Sequence, residues 1–229
     1  MKLLVLDTST EWCSAALWLD GRIHARRVLA GQRHSSLLLP MVDELLRDAS
    51  ITLRQLDGIG YGAGPGSFTG LRIACAVTQG LAFGAGIPVV GISTLESIAE
   101  QSGADRVLTV LDARMAEVYW AAYQREDAGW RCVATPVLAL PESVAVPGGG
   151  GWVGAGNGFV ALGDVLRPRL ASALARIDDT LMPDAAAMAP LAARAFGRGE
   201  GLDAALAAPV YLRDKVALTV DERRARHSA

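Results

Sequence analysis

The chain repeats its own opening. Lys2-Leu-Leu-Val-Leu-Asp7 reads as a buried strand that ends in an acid, and Arg106-Val-Leu-Thr-Val-Leu-Asp112 reads the same way, with the two acids 105 positions apart. After Asp7 a second strand alternates, with Cys13, Ala15, Leu17 and Leu19 on one face. Asp20-Gly21 then supplies the residue pair that a tight hairpin turn favours, leading into Arg22 to Leu29. After Asp112 the alternating strand is Val118 to Tyr123, and Ala128-Gly129 turns the chain into Trp130 to Val133. A strand-plus-hairpin unit that occurs twice at such a spacing points to a duplicated α/β domain.

Between the two copies the pattern predicts a helix over Ser35 to Ala49, a strand over Leu56 to Gly62, a helix over Thr69 to Gly84 and a strand over Pro88 to Ile92. Ser93 or Thr94 then caps a helix with Glu96 in its first turn. The composition turns polar over Gln101 to Asp105, which divides the chain into lobes 1–103 and 104–229. In the second lobe the glycine-dense Gly148 to Gly158 reads as loop. Asp184 to Arg198 reads as an alanine-rich helix, kinked by Pro190 and ended by Gly199. A β-β-β-α-β-α unit used twice is the outline of the actin-like (ASKHA) superfamily of sugar kinases and actin, and a two-lobed α/β fold of that kind is expected.

Composition narrows the function classes. With 51% hydrophobic residues the chain has a core to bury. The apolar run Leu3 to Leu6 stops at Asp7, too short for a secretion signal or a membrane span, so a cytoplasmic protein without membrane association is expected. Cys13, Cys75 and Cys132 are far apart and form no C-x-x-C pair, which reads as buried or half-buried reduced thiols. The formal charge is −2, and the one basic run, Arg223-Arg224-Ala225-Arg226, reads as a frayed tail. Strong direct binding of a nucleic acid needs many Lys and Arg contacts to phosphate, which this chain does not supply by itself.

The densest chemical signal is Gly62-Ala-Gly-Pro-Gly-Ser-Phe-Thr-Gly70-Leu-Arg-Ile, between a strand and a helix. Backbone N–H groups and a helix N-terminus there offer a resting place for an anion. No Gly-Lys-Ser/Thr follows, so it is not a P-loop, and it misses the G-x-S-x-G nucleophile elbow by one position. The other reading is a tight turn whose glycines allow close backbone approach, with Ser67 or Thr69 capping the helix. Asp7 and Asp112 stand where acids of actin-like enzymes hold a metal-bound water or a phosphate, or they accept N–H bonds of their own turns. Asp7, Thr8, Ser9, Gly64, Gly66, Ser67 and Asp112 are therefore the candidate phosphate or nucleotide contacts. His24, His34 and His227 have no metal-ligand spacing, and no catalytic residue or metal ligand is assigned. On the helix from Ser35, the residues Leu37, Leu38, Leu39, Met41, Val42, Leu45 and Leu46 spread over an arc of about 200°. That is more than one sheet face covers, so the surplus faces either a second helix of the same chain or a partner protein; the partner is the preferred reading, and these residues and His34 are the candidate partner interface.

Together these stretches resemble the TsaB (YeaZ-like) family. The matching pieces are Val5-Leu-Asp-Thr-Ser-Thr-Glu-Trp-Cys-Ser14, His34 with Leu39-Pro40-Met41, and Gly64-Pro-Gly-Ser-Phe-Thr-Gly-Leu-Arg-Ile73. They continue with Gly91-Ile-Ser-Thr-Leu95, Leu111-Asp-Ala-Arg-Met115 with Glu117-Val-Tyr119, and Pro209-Val-Tyr-Leu-Arg213. The resemblance implies a non-catalytic subunit that pairs with a catalytic paralog, TsaD, in forming threonylcarbamoyladenosine at adenosine 37 of tRNAs reading ANN codons. It implies a small ATPase, TsaE, as a further partner, homodimers as a second mode of association, and tRNA contact only through the complex. Any ATP or metal would belong mainly to the partner subunits. The paralog's H-x-x-x-H pair has no counterpart here, where the sequence reads Gly91-Ile-Ser-Thr-Leu-Glu-Ser97. The alternative is a stand-alone actin-like nucleotide hydrolase or a glycoprotease-like enzyme.

Overall fold

A computed structural model describes residues 1–213 of the 229, so the basic run at Arg223 to Arg226 and His227 lie outside the described residues. The first sheet contains β1 (Lys2–Asp7), β2 (Trp12–Leu19), β3 (Arg22–Leu29), β4 (Gly58–Gly64) and β5 (Val89–Ser93), in the order β3-β2-β1-β4-β5. The second contains β6 (Arg106–Arg114), β7 (Glu117–Glu126), β8 (Gly129–Ala139), β9 (Trp152–Ala155) and β10 (Leu174–Asp178), in the order β8-β7-β6-β9-β10. Each sheet has two antiparallel hairpin pairings and two parallel ones in corresponding places. The echo in the sequence is thus an echo in topology, and the fold is the duplicated actin-like one.

Helix α1 (His34–Asp48) joins β3 to β4, α2 (Phe68–Ala85) joins β4 to β5, and α3 (Thr94–Gln101) follows β5. In the second lobe α4 (Gly158–Ala161) and α5 (Gly163–Leu170) lie between β9 and β10, and α6 (Ala185–Gly197) follows β10. Strand β1 is apolar without a break because both its faces are covered. Leu4 and Leu6 meet Leu38, Met41, Val42 and Leu45 of α1 and Cys75 and Ala82 of α2. Leu3 and Val5 meet Ala185, Met188, Ala189 and Ala192 of α6. A Cβ at Gly58 or Gly60 would run into Phe196 or Ala192, so these alternate glycines of β4 let the alanine-rich helix lie close to the sheet, while one at Gly62 would strike the Asp7 carboxylate first. Edge strand β3 is exposed along nearly its whole length and carries Arg22, His24, Arg26 and Arg27, charges that discourage edge-to-edge pairing.

The two lobes exchange their last helices. α3 follows the first sheet in sequence but packs Leu95, Ile98 and Ala99 on Val107, Leu111 and Tyr123 of the second. α6 follows the second sheet and packs on the first. α6, which lies beyond 103/104 in sequence, thus packs with residues of the first sheet.

Two further expectations change. Trp152–Ala155 inside the expected loop 148–158 is a fully buried parallel strand, β9. Helix α6 lies within the expected 184–198 with Pro190 inside it, its N-terminus capped by Asp184, whose side chain accepts from Ala186 N–H. Cys13 and Cys75 are buried as expected, but Cys132 is exposed on β8.

Candidate functional site: the interlobe cleft and the outer helical layer

A cleft of about 700 Å³ opens between the lobes. Its walls are the turn after β1, the start of α1, the glycine loop before α2, the β6–β7 turn, Asn157 and the stretch Val210 to Arg213. The sequence placed its candidate phosphate contacts here, and the structure brings them together, largely with other work to do.

Asp7 is fully buried beneath the cleft. Its Oδ2 accepts from Ser9 Oγ at 3.0 Å and Ser9 N–H at 3.4 Å, while Oδ1 has no partner. Burial pushes its carboxyl up to about 7, against the two Ser9 bonds that favour the ion, with nearby Asp184 raising it and Arg27 lowering it. Thr8 is also buried, and its Oγ1 donates to the Gly70 carbonyl at 2.6 Å. Ser67 N–H donates to the Ser9 carbonyl at 2.7 Å. A Cβ at Gly66 would strike the Ser9 carbonyl, and one at Gly70 the Thr8 carbonyl. The glycine loop is thus laid against the 8–10 turn backbone to backbone, and Ser67 caps α2 by accepting from Gly70 N–H at 3.3 Å. Of the candidate contacts, Asp7, Thr8 and Ser9 present almost no surface to a ligand, while Gly64, Gly66 and Ser67 shape the loop.

Asp112 repeats the arrangement in the second lobe. Its Oδ1 accepts from Arg114 N–H at 2.7 Å, its Oδ2 pairs with the Arg114 guanidinium at 3.0 Å, and its own N–H donates to Asn157 Oδ1 at 3.0 Å. Both strand-end acids therefore accept the N–H two residues on, a local turn closed by a carboxylate. The turn Asp112 closes is strained: Arg114, Met115 and Ala116 all have φ near +60°. Such a conformation costs an L-residue about 1–2 kcal/mol.

The eight residues expected at a partner interface divide sharply. His34, Leu38, Met41, Val42 and Leu45 are buried and Leu37 and Leu46 half-buried, the leucines, Met41 and Val42 lying in the chain's own core. Only Leu39, 49% exposed, faces outward. The wide apolar arc is consumed because α1 packs on the sheet and beside α2 at once. His34 begins α1 at the cleft wall, and its Nε2 has no partner.

The outward side of α2 was missed by sequence reasoning. Phe83 is 83% exposed, the most exposed large apolar side chain among the described residues. Ala76, Gly80 and Gly84 lie on the same helix at a spacing of four, also exposed, and a Cβ at either glycine would meet nothing. The four-residue spacing of small residues was the available signal. Among the described residues no helix is long and apolar enough to cross a membrane, and no three His, Cys, Asp or Glu side chains group as metal ligands would.

Comparison with known proteins adds the family. The profile described as TsaD, tRNA N6-adenosine threonylcarbamoyltransferase, matches residues 28–153. The Escherichia coli tRNA threonylcarbamoyladenosine biosynthesis protein TsaB is 41% identical over 225 residues, covering 95% of this chain and 96% of that protein. Its Haemophilus influenzae counterpart is 35% identical over 229 residues, covering 94% and 95%. The solved structure of YeaZ from Pseudomonas aeruginosa superposes with a TM-score of 0.86 at 42% identity, covering 92% of this chain and 99% of that one.

Proposed function

The chain belongs to the TsaB family of tRNA threonylcarbamoyladenosine biosynthesis proteins, and we propose that it serves there as a required non-catalytic subunit that docks on the related TsaD transferase. What carries this reading is the state of the two strand-end acids. Asp7 is buried with its proton held to about pH 7, and Asp112 is occupied by Arg114, so neither stands ready to hold a metal-bound water or a phosphate. The stretch Gly91 to Ser97, which corresponds to the paralog's histidine pair, contains no histidine. A metal of that kind does not fit the side chains present.

Docking uses the outer faces of α1 and α2, where Leu39 is exposed on α1 and Phe83 on α2, the latter on the same helix as Gly80 and Gly84, which leave room for another helix to approach closely. A second copy of the chain occupies that face when TsaD is absent. The TsaE ATPase joins the pair, and tRNA is reached through the assembly, in keeping with a net charge of −2. The protein works in the cytoplasm, where its tRNA substrate is.

Co-purification with the TsaD protein of the same organism tests the docking. Leu39→Glu and Phe83→Glu should each weaken the complex by about tenfold or more, the loss expected on placing a charge in an apolar contact, and leave the melting temperature of the isolated chain near that of the parent. Normal binding by both variants would move the interface elsewhere. ATP turnover by the isolated chain, abolished by Asp112→Ala, would restore the stand-alone hydrolase.

A further inference from the structure

Residues 207–213 cross from one lobe to the other at the mouth of the cleft. On the first lobe Gln79 donates to the Ala207 carbonyl at 3.1 Å, and the Tyr61 hydroxyl bonds both the carbonyl (3.1 Å) and the N–H (3.0 Å) of Ala208. Val210 N–H donates to the Ala63 carbonyl at 2.7 Å, and the Val210 carbonyl fills the space a side chain at Gly64 would need. Tyr211 stacks on Phe68 with ring centres 5.0 Å apart, and its hydroxyl accepts from Arg72 Nε at 2.9 Å. The chain then leaves the first lobe. Leu212 packs into the apolar cluster under the second sheet. Arg213 reaches the β6–β7 turn, donating to the Ala113 carbonyl at 3.1 Å, pairing with Glu117 at 2.7 Å and touching Met115 Sδ at 3.5 Å.

The turn that Arg213 grips is the strained one. Arg114, Met115 and Ala116 hold three successive left-handed conformations although none is glycine, and nothing in their local sequence favours that state. Such a conformation persists only where surrounding contacts impose it. Here those contacts are Asp112 from within the hairpin and Arg213 from outside it. Elsewhere the lobes are joined mainly by the exchanged helices α3 and α6, through apolar packing together with the Glu100 contacts to Trp130 and Arg194, and by the bond between the Ser93 and Tyr123 hydroxyls. A rotation of the lobes about those helices would have to break the polar contacts at the cleft mouth, where the Arg213 and Glu117 side chains keep 15% and 26% exposure.

We propose that residues 207–213 form an interlobe latch with Arg213 as its releasable catch. Engaged, Arg213 holds the 114–116 turn left-handed and the cleft mouth at its present width. Released, the turn relaxes and the lobes spread. Arg213 is a positioning residue, acting through the turn, and the latch stands independently of the proposed subunit role.

The test uses the full chain with one spin label on exposed Cys132 of the second lobe and another at Arg47→Cys on α1, since Cys13 and Cys75 are buried. Pulsed dipolar spectroscopy reads the distance between lobes, and hydrogen exchange reads the segment 112–117. The parent should give one narrow distance distribution. Arg213→Lys keeps the charge opposite Glu117 but loses the planar fork that reaches carbonyl and carboxylate together. It should raise exchange in 112–117 on the order of tenfold and add a longer interlobe distance. Arg213→Ala should go further in both. Arg72→Ala, which loosens the other end of the strap without touching the turn, should add the same longer distance. Parent-like distances in all three variants would overturn the latch. So would a loss of protection spread over both sheets in Arg213→Lys, which would make Arg213 an element of the global fold.

Discussion

Replacing Asp7 by asparagine should change the stability of this protein with opposite signs at low and high pH. The carboxyl is fully buried, and its pKa rises from 3.8 to about 7 because the charged form is desolvated, which the Ser9 bonds and the nearby Arg27 charge offset only in part. Between those values the folded protein keeps a proton that the unfolded chain gives up, so stability falls as pH rises. The group takes nothing from stability below about pH 4. From there it takes about 1.4 kcal/mol per pH unit, reaching about 4 kcal/mol near pH 7. The neutral amide of Asp7→Asn carries no such penalty. Its oxygen still accepts from Ser9, but its nitrogen would face the crowded position beside Gly62 where the Asp7 Oδ1 now has no partner. A buried donor left without a partner costs about 1–3 kcal/mol. The variant should therefore be less stable than the parent at pH 4 by about 1–3 kcal/mol and more stable at pH 8 by a similar amount. Urea unfolding followed by far-UV circular dichroism at pH 4, 6 and 8 measures both, with equal m-values as the condition for comparison. A difference that does not vary with pH would refute the buried, proton-holding Asp7.

Three further outcomes are measurable by the same method. Gly70→Ala should cost about 3 kcal/mol or more, because the new methyl meets the Thr8 carbonyl, whereas Gly84→Ala, in open space on α2, should gain about 0.5–1 kcal/mol. Leu38→Ala should cost about 2–5 kcal/mol and Leu39→Ala no more than about 0.5 kcal/mol, since the first is fully buried and the second lies outside. Glu100 accepts from Trp130 Nε1 at 2.6 Å and pairs with Arg194 at 3.0 Å and Arg125 at 3.4 Å, joining α3, α6 and the second sheet. Glu100→Ala should cost about 2–4 kcal/mol because it leaves those donors unmatched in a mostly buried place, and Glu100→Gln less.

The parts of the fold that could be read from the sequence are those whose pattern is local. Lys2 to Asp7 and its copy at Arg106 to Asp112 are apolar runs ended by acids, and Asp20-Gly21 and Gly129 punctuate hairpins with positive φ angles. β9 escaped because Trp152-Val-Gly-Ala155 is four residues long and follows four consecutive glycines, so its loop-like flank outweighs its strand. Most of the apolar arc of α1 lies in the chain's own core, because a helix packed on a sheet and another helix at once needs a wider arc than one on a sheet alone; Leu39 is the part left outside. Asp7 and Asp112 were each open to two readings, and both are seen to accept the N–H two residues on, a contact set by the local turn. Tyr211 and Arg213 were visible as a motif, but their role depends on partners such as Ala113 and Arg72, 100 and 139 positions away. No local pattern encodes such a contact. α6 returns to the first sheet for a reason equally remote, the alternate glycines of β4.

The central claim, a subunit required by a catalytic partner and inert without it, is tested most directly by transfer of the threonylcarbamoyl group to tRNA. The reaction is assembled from the TsaD and TsaE proteins of the same organism, with the adenylate donor, and this chain is titrated in. Product should be absent with this chain alone, low without it, and should rise to a plateau at a fixed ratio of this chain to TsaD; Leu39→Glu should shift that titration to higher concentration. Full-rate transfer by TsaD and TsaE without the chain, or transfer by the chain in their absence, would contradict the account.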